Sequence, residues 1–378
     1  MKKIVCLLLC IFIAKNALAQ DMNINAKSAI LIEQTTGQVL FAKNEHEKRE
    51  IASMTKIMSM LLVMEKINEG TLKYDDYVDI TTEASSMGGS QVFIQAGERY
   101  KVHELLKSVA MASANDAITA LAIKTYGSIE SFVEKMNEKA KKLGLKNTNF
   151  VNVHGLDSDN HYSTASDMAV IAKELLKYDD ILKYTSVYEE YLQKPNGSKI
   201  WLVNTNKLVR FYDGVDGLKT GYTQKAGYCL TATAKKNNLR LISVVMGEDT
   251  IENRSQDTVK LLNYGFNTYK INLIKSKKDI LGKVKVENGK KEYVNLVLIN
   301  DIVELLKSDK KESEYNFKLD IKKLKAPVKK GSKIGEVRIY DKKKNLINKV
   351  EITVEESIGK ANFMTIVIRN LRKICTFS

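Results

Sequence analysis

The spacing of apolar residues changes period twice along this chain, and that order of periods restricts the fold more than composition does. Residues 28–32 and 38–41 alternate about a Thr35-Thr36-Gly37 turn and read as a β-hairpin. Helical spacing then takes over at 53–69, stopped by Gly70, and returns at 102–112, 116–126, 131–143 and 166–177. After Lys194 the pattern is extended again, with strands expected at 227–234 and 240–247 around Lys235-Lys236-Asn237-Asn238. A helix over 254–268 closes this region. A strand pair, a block of helices and more strands predict an α+β fold, an antiparallel sheet covered by helices.

The chain has 378 residues, enough for two domains. From about Ile271 short alternating strands recur, at 284–286, 294–298, 335–340 and 349–354, which predicts a small all-β domain over 271–355. The first domain then spans 20–270. Residues 1–19 have the order of a secretory signal: Lys2 and Lys3, an apolar run from Ile4 to Ala14, and Ala17-Leu18-Ala19 before the expected cleavage. The last segment, 356–378, gathers Phe363, Met364, Val367, Ile368, Leu371, Ile374 and Cys375 on one helical face. Lys360, Arg369, Arg372 and Lys373 lie among them, and no acidic residue follows Glu356. This is the pattern of a cationic amphipathic helix lying in a membrane surface.

Apolar content of 44% and charged content of 28% are ordinary for a globular protein and exclude a disordered chain. The formal charge of +15 suits nucleic acid, anionic lipid or an anionic polymer, and export removes nucleic acid from that set. Once the signal is cleaved only Cys229 and Cys375 remain, so no disulfide framework is expected, and Cys229 reads as a small core residue. No metal and no cofactor are called for.

Ser53-Met54-Thr55-Lys56 carries the chemistry. Serine and lysine three apart at a helix start share a face, and a lysine with a lowered pKa can take the serine proton. The same spacing at Ser308–Lys311 and Ser357–Lys360 lies in a charged loop and before the tail. Only Ser53 opens an apolar helix. Ser113-Ala114-Asn115 falls between two helices, where a second hydroxyl can relay a proton and an amide can hold a substrate carbonyl. Ser158-Asp159-Asn160 matches too, within a polar surface turn. Lys219-Thr220-Gly221 occurs once: Lys219 can bind a carboxylate and lower the pKa of Lys56, Thr220 adds a hydroxyl, and Gly221 lets a backbone come close.

Together the three motifs resemble the signature of penicillin-binding proteins and serine β-lactamases. The fuller matches Ile51–Lys56, Ala112–Ala117, His154–Asp157 and Asp216–Thr223 resemble the low-molecular-mass D-alanyl-D-alanine carboxypeptidases over residues 25 to 378. The resemblance implies a β-lactamase/transpeptidase-like sheet, a serine carboxypeptidase acting on peptidoglycan pentapeptides, and covalent inhibition by β-lactams. It implies placement at the periplasmic face of the cytoplasmic membrane. It makes Ser53 the nucleophile, Lys56 its base and Ser113 a further catalytic residue. Asn115, Lys219, Thr220 and Gly221 would bind substrate, Tyr222 would supply an oxyanion-hole N–H beside that of Ser53, and Arg254 would stand near the substrate carboxylate. His154 matches a family histidine whose role the residues do not reveal. Endopeptidase action on cross-links and a silent wall-binding scaffold are the rival functions. A class A β-lactamase is disfavoured, because no Glu-x-x-Leu-Asn element lies between Asn115 and Lys219.

Overall fold

A computed structural model describes residues 22–310 and 314–375, so the expected signal lies outside the described residues. The chain divides into two compact units between Gly265 and Phe266.

The first unit begins with β1 (Ser28–Glu33), β2 (Val39–Lys43), a 3-10 turn (Ala52–Thr55), α1 (Lys56–Asn68), β3 (Tyr77–Asp79), α2 (Thr82–Ser85) and β4 (Arg99–Lys101). The helices α3 (Val102–Ala112), α4 (Asn115–Tyr126), α5 (Ile129–Lys142) and α6 (Ala165–Leu175) follow. After α7 (Leu182–Thr185) come β5 (Glu189–Gln193), β6 (Lys199–Val203), α8 (Leu208–Phe211), β7 (Val215–Thr223), β8 (Gly227–Lys236), β9 (Leu239–Glu248) and α9 (Ile251–Thr268). Ser128 and Thr164 cap α5 and α6 by accepting the N–H groups of Ser131 and Asp167, which fixes where those helices start.

The central sheet runs β2-β1-β9-β8-β7 and is antiparallel throughout. It joins the start of the unit to its end, because β1 pairs with β9. All six residues of β1 are buried, where a one-sided sheet would bury alternate ones. The reason is that both faces are covered. Ile30, Ile32, Ile242 and Val244 join the core built with α1 and α6. On the other face Gly265 of α9 sits so close that a Cβ would come within 2.5 Å of Leu241 and 3.0 Å of Leu31. The β8–β9 connection is tighter than the expected four-residue turn: Lys236 pairs with Leu239, and Asn237 adopts φ +54°.

Helix α1 is buried continuously from Lys56 to Met64, as a central helix apolar on all sides must be. Strand β7 lies at the sheet edge, so one side of its backbone is left for another chain.

The second unit contains β10 (Tyr269–Lys275), β11 (Gly282–Glu287), β12 (Tyr293–Leu298), β13 (Ile302–Lys307), β14 (Asn316–Ile321), β15 (Leu324–Lys325), β16 (Gly335–Tyr340), β17 (Leu346–Val354) and α10 (Phe363–Cys375). Its sheet has the order β14-β16-β17-β12-β11-β15, with β10 and β13 as a separate pair. Val286, Leu296, Val337, Ile339, Ile352 and Val354 are among its core residues. Among the described residues no helix is long and apolar enough to cross a membrane.

Arg240 of β9 grips Asp216 of β7 through Nη1 and Nη2 at 2.7 and 2.8 Å, and Nη1 also reaches Thr233 Oγ1 of β8 at 2.9 Å. A lysine cannot reproduce that fork. Arg240→Lys is expected to lower unfolding free energy by about 1 to 2 kcal/mol, measured by urea titration; an unchanged midpoint would show that the fork contributes nothing.

Candidate active site

Ser53 lies on the 3-10 turn, not in the first turn of an α-helix. The residue before it, Ala52, has φ +45°, a conformation that side chains resist and that the surroundings must impose. Two glycines make room for it. A Cβ on Gly155 would fall 1.9 Å from the Ala52 carbonyl oxygen, and one on Gly221 would fall 2.8 Å from that of Ile51. A hydrogen-bond chain then fixes the turn from below. Thr55 Oγ1 donates to the Ala52 oxygen at 2.8 Å, and His161 Nε2 lies 2.8 Å from Thr55 Oγ1. His161 Nδ1 accepts the Val151 N–H at 3.0 Å. With the threonine proton already used and Nδ1 accepting, Nε2 must carry the imidazole proton. Burial holds the His161 pKa down at about 4, so this neutral tautomer persists at physiological pH.

Lys56 opens α1 and is wholly buried. Its Nζ lies 2.9 Å from Ser53 Oγ and donates to the His154 carbonyl oxygen at 2.7 Å. Burial pushes its pKa well below the ordinary lysine value, the nearby Lys219 charge pushes it further, and Asp116 opposes both. A neutral amine there spends one N–H on His154 and turns its lone pair to the serine proton. What the chain draws from His154 is thus its main-chain carbonyl. Its ring accepts the Leu156 N–H at 3.2 Å, and burial, then Lys56 and His161, hold its pKa at about 4.

Ser113 ends α3 in the left-handed region, φ +63°, and is buried. Asn115 begins α4, with Ser113 and Ala114 between the two helices. Its side-chain Nδ2 donates to the Gly88 oxygen at 2.7 Å, which leaves the buried Oδ1 with no partner among the described residues. The sequence suggested an amide holding a substrate carbonyl; the group left free is an acceptor, suited to a substrate N–H. Asp116, unnoticed in the sequence, accepts N–H groups from Val92, Ile94 and Ala117 and so ties the 92–94 loop to α4.

Strand β7 brings the third motif. Lys219 is buried and its Nζ donates to the Thr220 oxygen at 3.0 Å. Burial, then the Arg254 charge, lower its pKa to about 7. Thr220 Oγ1 donates to Thr205 Oγ1 at 2.7 Å, while the Thr205 N–H donates to the Met111 oxygen at 3.0 Å. Thr205 therefore couples β7 to the end of α3, two residues before Ser113. Arg254, on α9, is buried, and its Nε donor has no partner among the described residues. Tyr222 is exposed and stacks on Tyr228 with centroids 4.2 Å apart. Cys229 faces Gly221 across the ladder, and burial raises its thiol pKa to about 11, which makes it a poor nucleophile.

The structure links the stretches that carry the three motifs, while among the described residues no hydrogen bond joins the Ser113 or Asn115 side chain to Ser53. Gly221 meets the Ser53 turn, Lys219 and Asp116 both act on Lys56, and Thr205 closes the ring. Arg254 enters through its charge on Lys219. Among the described residues no group of His, Cys, Asp and Glu could hold a metal ion. The arrangement is suited to acyl transfer: a hydroxyl, a buried amine beside it whose pKa is pushed down, and the basic groups of Lys219 and Arg254 nearby.

The family model described as D-alanyl-D-alanine carboxypeptidase matches residues 14–250, and that of the penicillin-binding protein 5 C-terminal domain matches 269–360. The chain is 45% identical over 347 residues to the D-alanyl-D-alanine carboxypeptidase DacF of Bacillus subtilis, covering 92% of this chain and 89% of that protein. It is 33% identical over 381 residues to DacA of Escherichia coli, covering 95% and 93%. The crystal structure of penicillin binding protein 5 from Haemophilus influenzae matches with a TM-score of 0.69 at 32% identity, over 90% of this chain and 99% of that one. Penicillin-binding protein D2 of Listeria monocytogenes, in an ampicillin-bound form, matches at 0.59 and 32% over 65% and 99%.

The depressed pKa of Lys219 has a consequence for stability. Between about 7 and the ordinary 10.5 the folded protein binds fewer protons at this site than the unfolded chain, so its contribution to stability rises with pH. Relative to Lys219→Met, the parent should gain unfolding free energy from pH 7 to pH 10, read from urea titrations at each pH. A constant difference would mean that Lys219 titrates normally in the fold.

Proposed function

The chain belongs to the D-alanyl-D-alanine carboxypeptidase family of serine peptidases, and from that premise we propose which residues remove the terminal D-alanine of a peptidoglycan stem peptide. Ser53 Oγ attacks the carbonyl carbon between the two D-alanines as neutral Lys56 takes its proton. The tetrahedral oxyanion is received by the backbone N–H groups of Ser53 and Tyr222. Collapse expels the terminal D-alanine as its amine gains a proton relayed from Lys56 through Ser113. The penultimate D-alanine is left as an ester on Ser53. Water, deprotonated by the same amine, hydrolyses that ester and restores the serine.

Substrate is held at three points. The terminal carboxylate meets Lys219 and Arg254, and Thr220 once its hydroxyl turns from Thr205; its charge favours the protonated form of Lys219. The free Asn115 Oδ1 accepts a substrate N–H. The open edge of β7 pairs with the extended peptide, with Gly221 giving it close approach. β-Lactams acylate Ser53 by the same attack. The single observation that carries this assignment is the 2.9 Å contact between buried Lys56 Nζ and Ser53 Oγ.

Export to the periplasmic face of the cytoplasmic membrane is part of the same reading. The exposed Phe363, Met364 and Ile368 on α10 support peripheral attachment there.

Two measurements test it. Fluorescent penicillin should label the parent and not Ser53→Ala. Lys56→Arg, which keeps its proton, should acylate about 10²- to 10⁴-fold more slowly; normal labelling of either variant contradicts the assignment. Incubation with a synthetic peptide ending in D-Ala-D-Ala should release free D-alanine.

A further inference from the structure

The charge of this chain is concentrated in one unit. Residues 266–378 hold 27 of the 60 Lys and Arg but only 14 of the 45 Asp and Glu, a net charge of +13 against +2 for residues 1–265. Acidic residues are about equally frequent in the two units, so a general taste for charged surface does not account for the excess.

Part of that excess surrounds the point where α10 leaves the β-domain. Val328 bridges Ile358, the Lys330 N–H donates to Ser357 Oγ at 2.9 Å, and the Lys290 N–H donates to the Gly359 oxygen at 2.9 Å. The segment entering the helix is therefore strapped between two turns, one carrying Lys329 and Lys330, the other Lys290. Lys360 follows on the segment itself. All four side chains are exposed, and among the described residues none of the four is paired with a carboxylate. Neighbouring Lys291 and Lys333 differ, since Glu356 and Glu351 neutralise them.

The helix itself is oriented. Arg369 donates to the Gly289 and Lys290 carbonyl oxygens, which sets one side of α10 against the 289–290 turn. Phe363 and Met364 lie more than 100° around the helix from Arg369 and are 78% and 64% exposed. An apolar stripe and a ring of unpaired ammonium groups thus emerge from the same place on one domain.

We infer that Lys290, Lys329, Lys330 and Lys360 form a cationic collar that binds the phosphate headgroups of an anionic phospholipid bilayer, making membrane attachment selective for anionic lipid and sensitive to salt. This rests on the peripheral attachment through α10 proposed above. The bilayer is the partner because the apolar stripe beside the collar has no use on a soluble polyanion.

The test is vesicle co-sedimentation of the full chain, using neutral phosphatidylcholine vesicles and vesicles containing phosphatidylglycerol. Each lysine near an anionic surface contributes about fivefold in partitioning. Replacing all four by Gln should weaken binding to the anionic vesicles by at least about fiftyfold and leave neutral-vesicle binding and penicillin acylation unchanged. Replacing all four by Arg should retain anionic binding. Met364→Glu with Ile368→Glu should weaken binding to both vesicle types, which reads the helix separately. The collar is overturned if the Gln variant binds anionic vesicles like the parent, or if the parent prefers soluble polyglycerol phosphate to vesicles. If the parent binds neither vesicle, attachment through α10 fails together with the collar.

Discussion

An ammonium ion inside a protein must find a counter-charge or give up its proton, and here burial and the Lys219 charge both push Lys56 toward the second outcome. Lys56 is fully enclosed, and the charge within its field that opposes its two depressing influences is the partly shielded Asp116. The amine can then serve as a base to the hydroxyl one turn before it. Everything near the turn maintains that enclosure. Lys56 opens the buried, apolar α1, the His154 carbonyl takes one N–H, and glycines at 155 and 221 let backbone approach the 51–54 turn where a side chain would intrude.

These features work against local stability. A left-handed alanine, two buried lysines, and an Arg254 Nε and an Asn115 Oδ1 that lack partners among the described residues each hold free energy that a relaxed core would release. The large continuous core of the first unit offsets them. In the proposed reading, a peptide carrying a carboxylate and an N–H would satisfy the Arg254 and Asn115 groups, so that substrate would complete what folding leaves open there.

Much of this was legible in the sequence, and the exceptions have physical causes. The helices of the first unit and its hairpins follow the period of their apolar residues, and β8 and β9 outrun the expectation by their ends because the turn needs only two residues. The spacing at Ser53 predicts the start of an α-helix. Its 3-10 geometry and the left-handed Ala52 are imposed by Gly155 and Gly221, distant in sequence, and no local pattern signals them. The Thr55–His161 link spans 106 residues and is invisible for the same reason. An acidic residue in the first turn of α4 is expected from the helix dipole, but the use of Asp116 to tie down Val92 and Ile94 has no local signal. The β5–β6 hairpin carried its own Asn196-Gly197 turn signal. In the second unit, β14 exposes five of its six residues, so burial leaves no alternation there.

The account's central claim is that Lys56 is uncharged in the resting protein, and it can be read directly. NMR titration of isotopically labelled lysine side chains, with Lys56→Arg to identify the signal, reports its protonation apart from all others. The account predicts that Lys56 loses its proton while the surface lysines of the same sample remain charged. A Lys56 signal that titrates together with those surface lysines would contradict it.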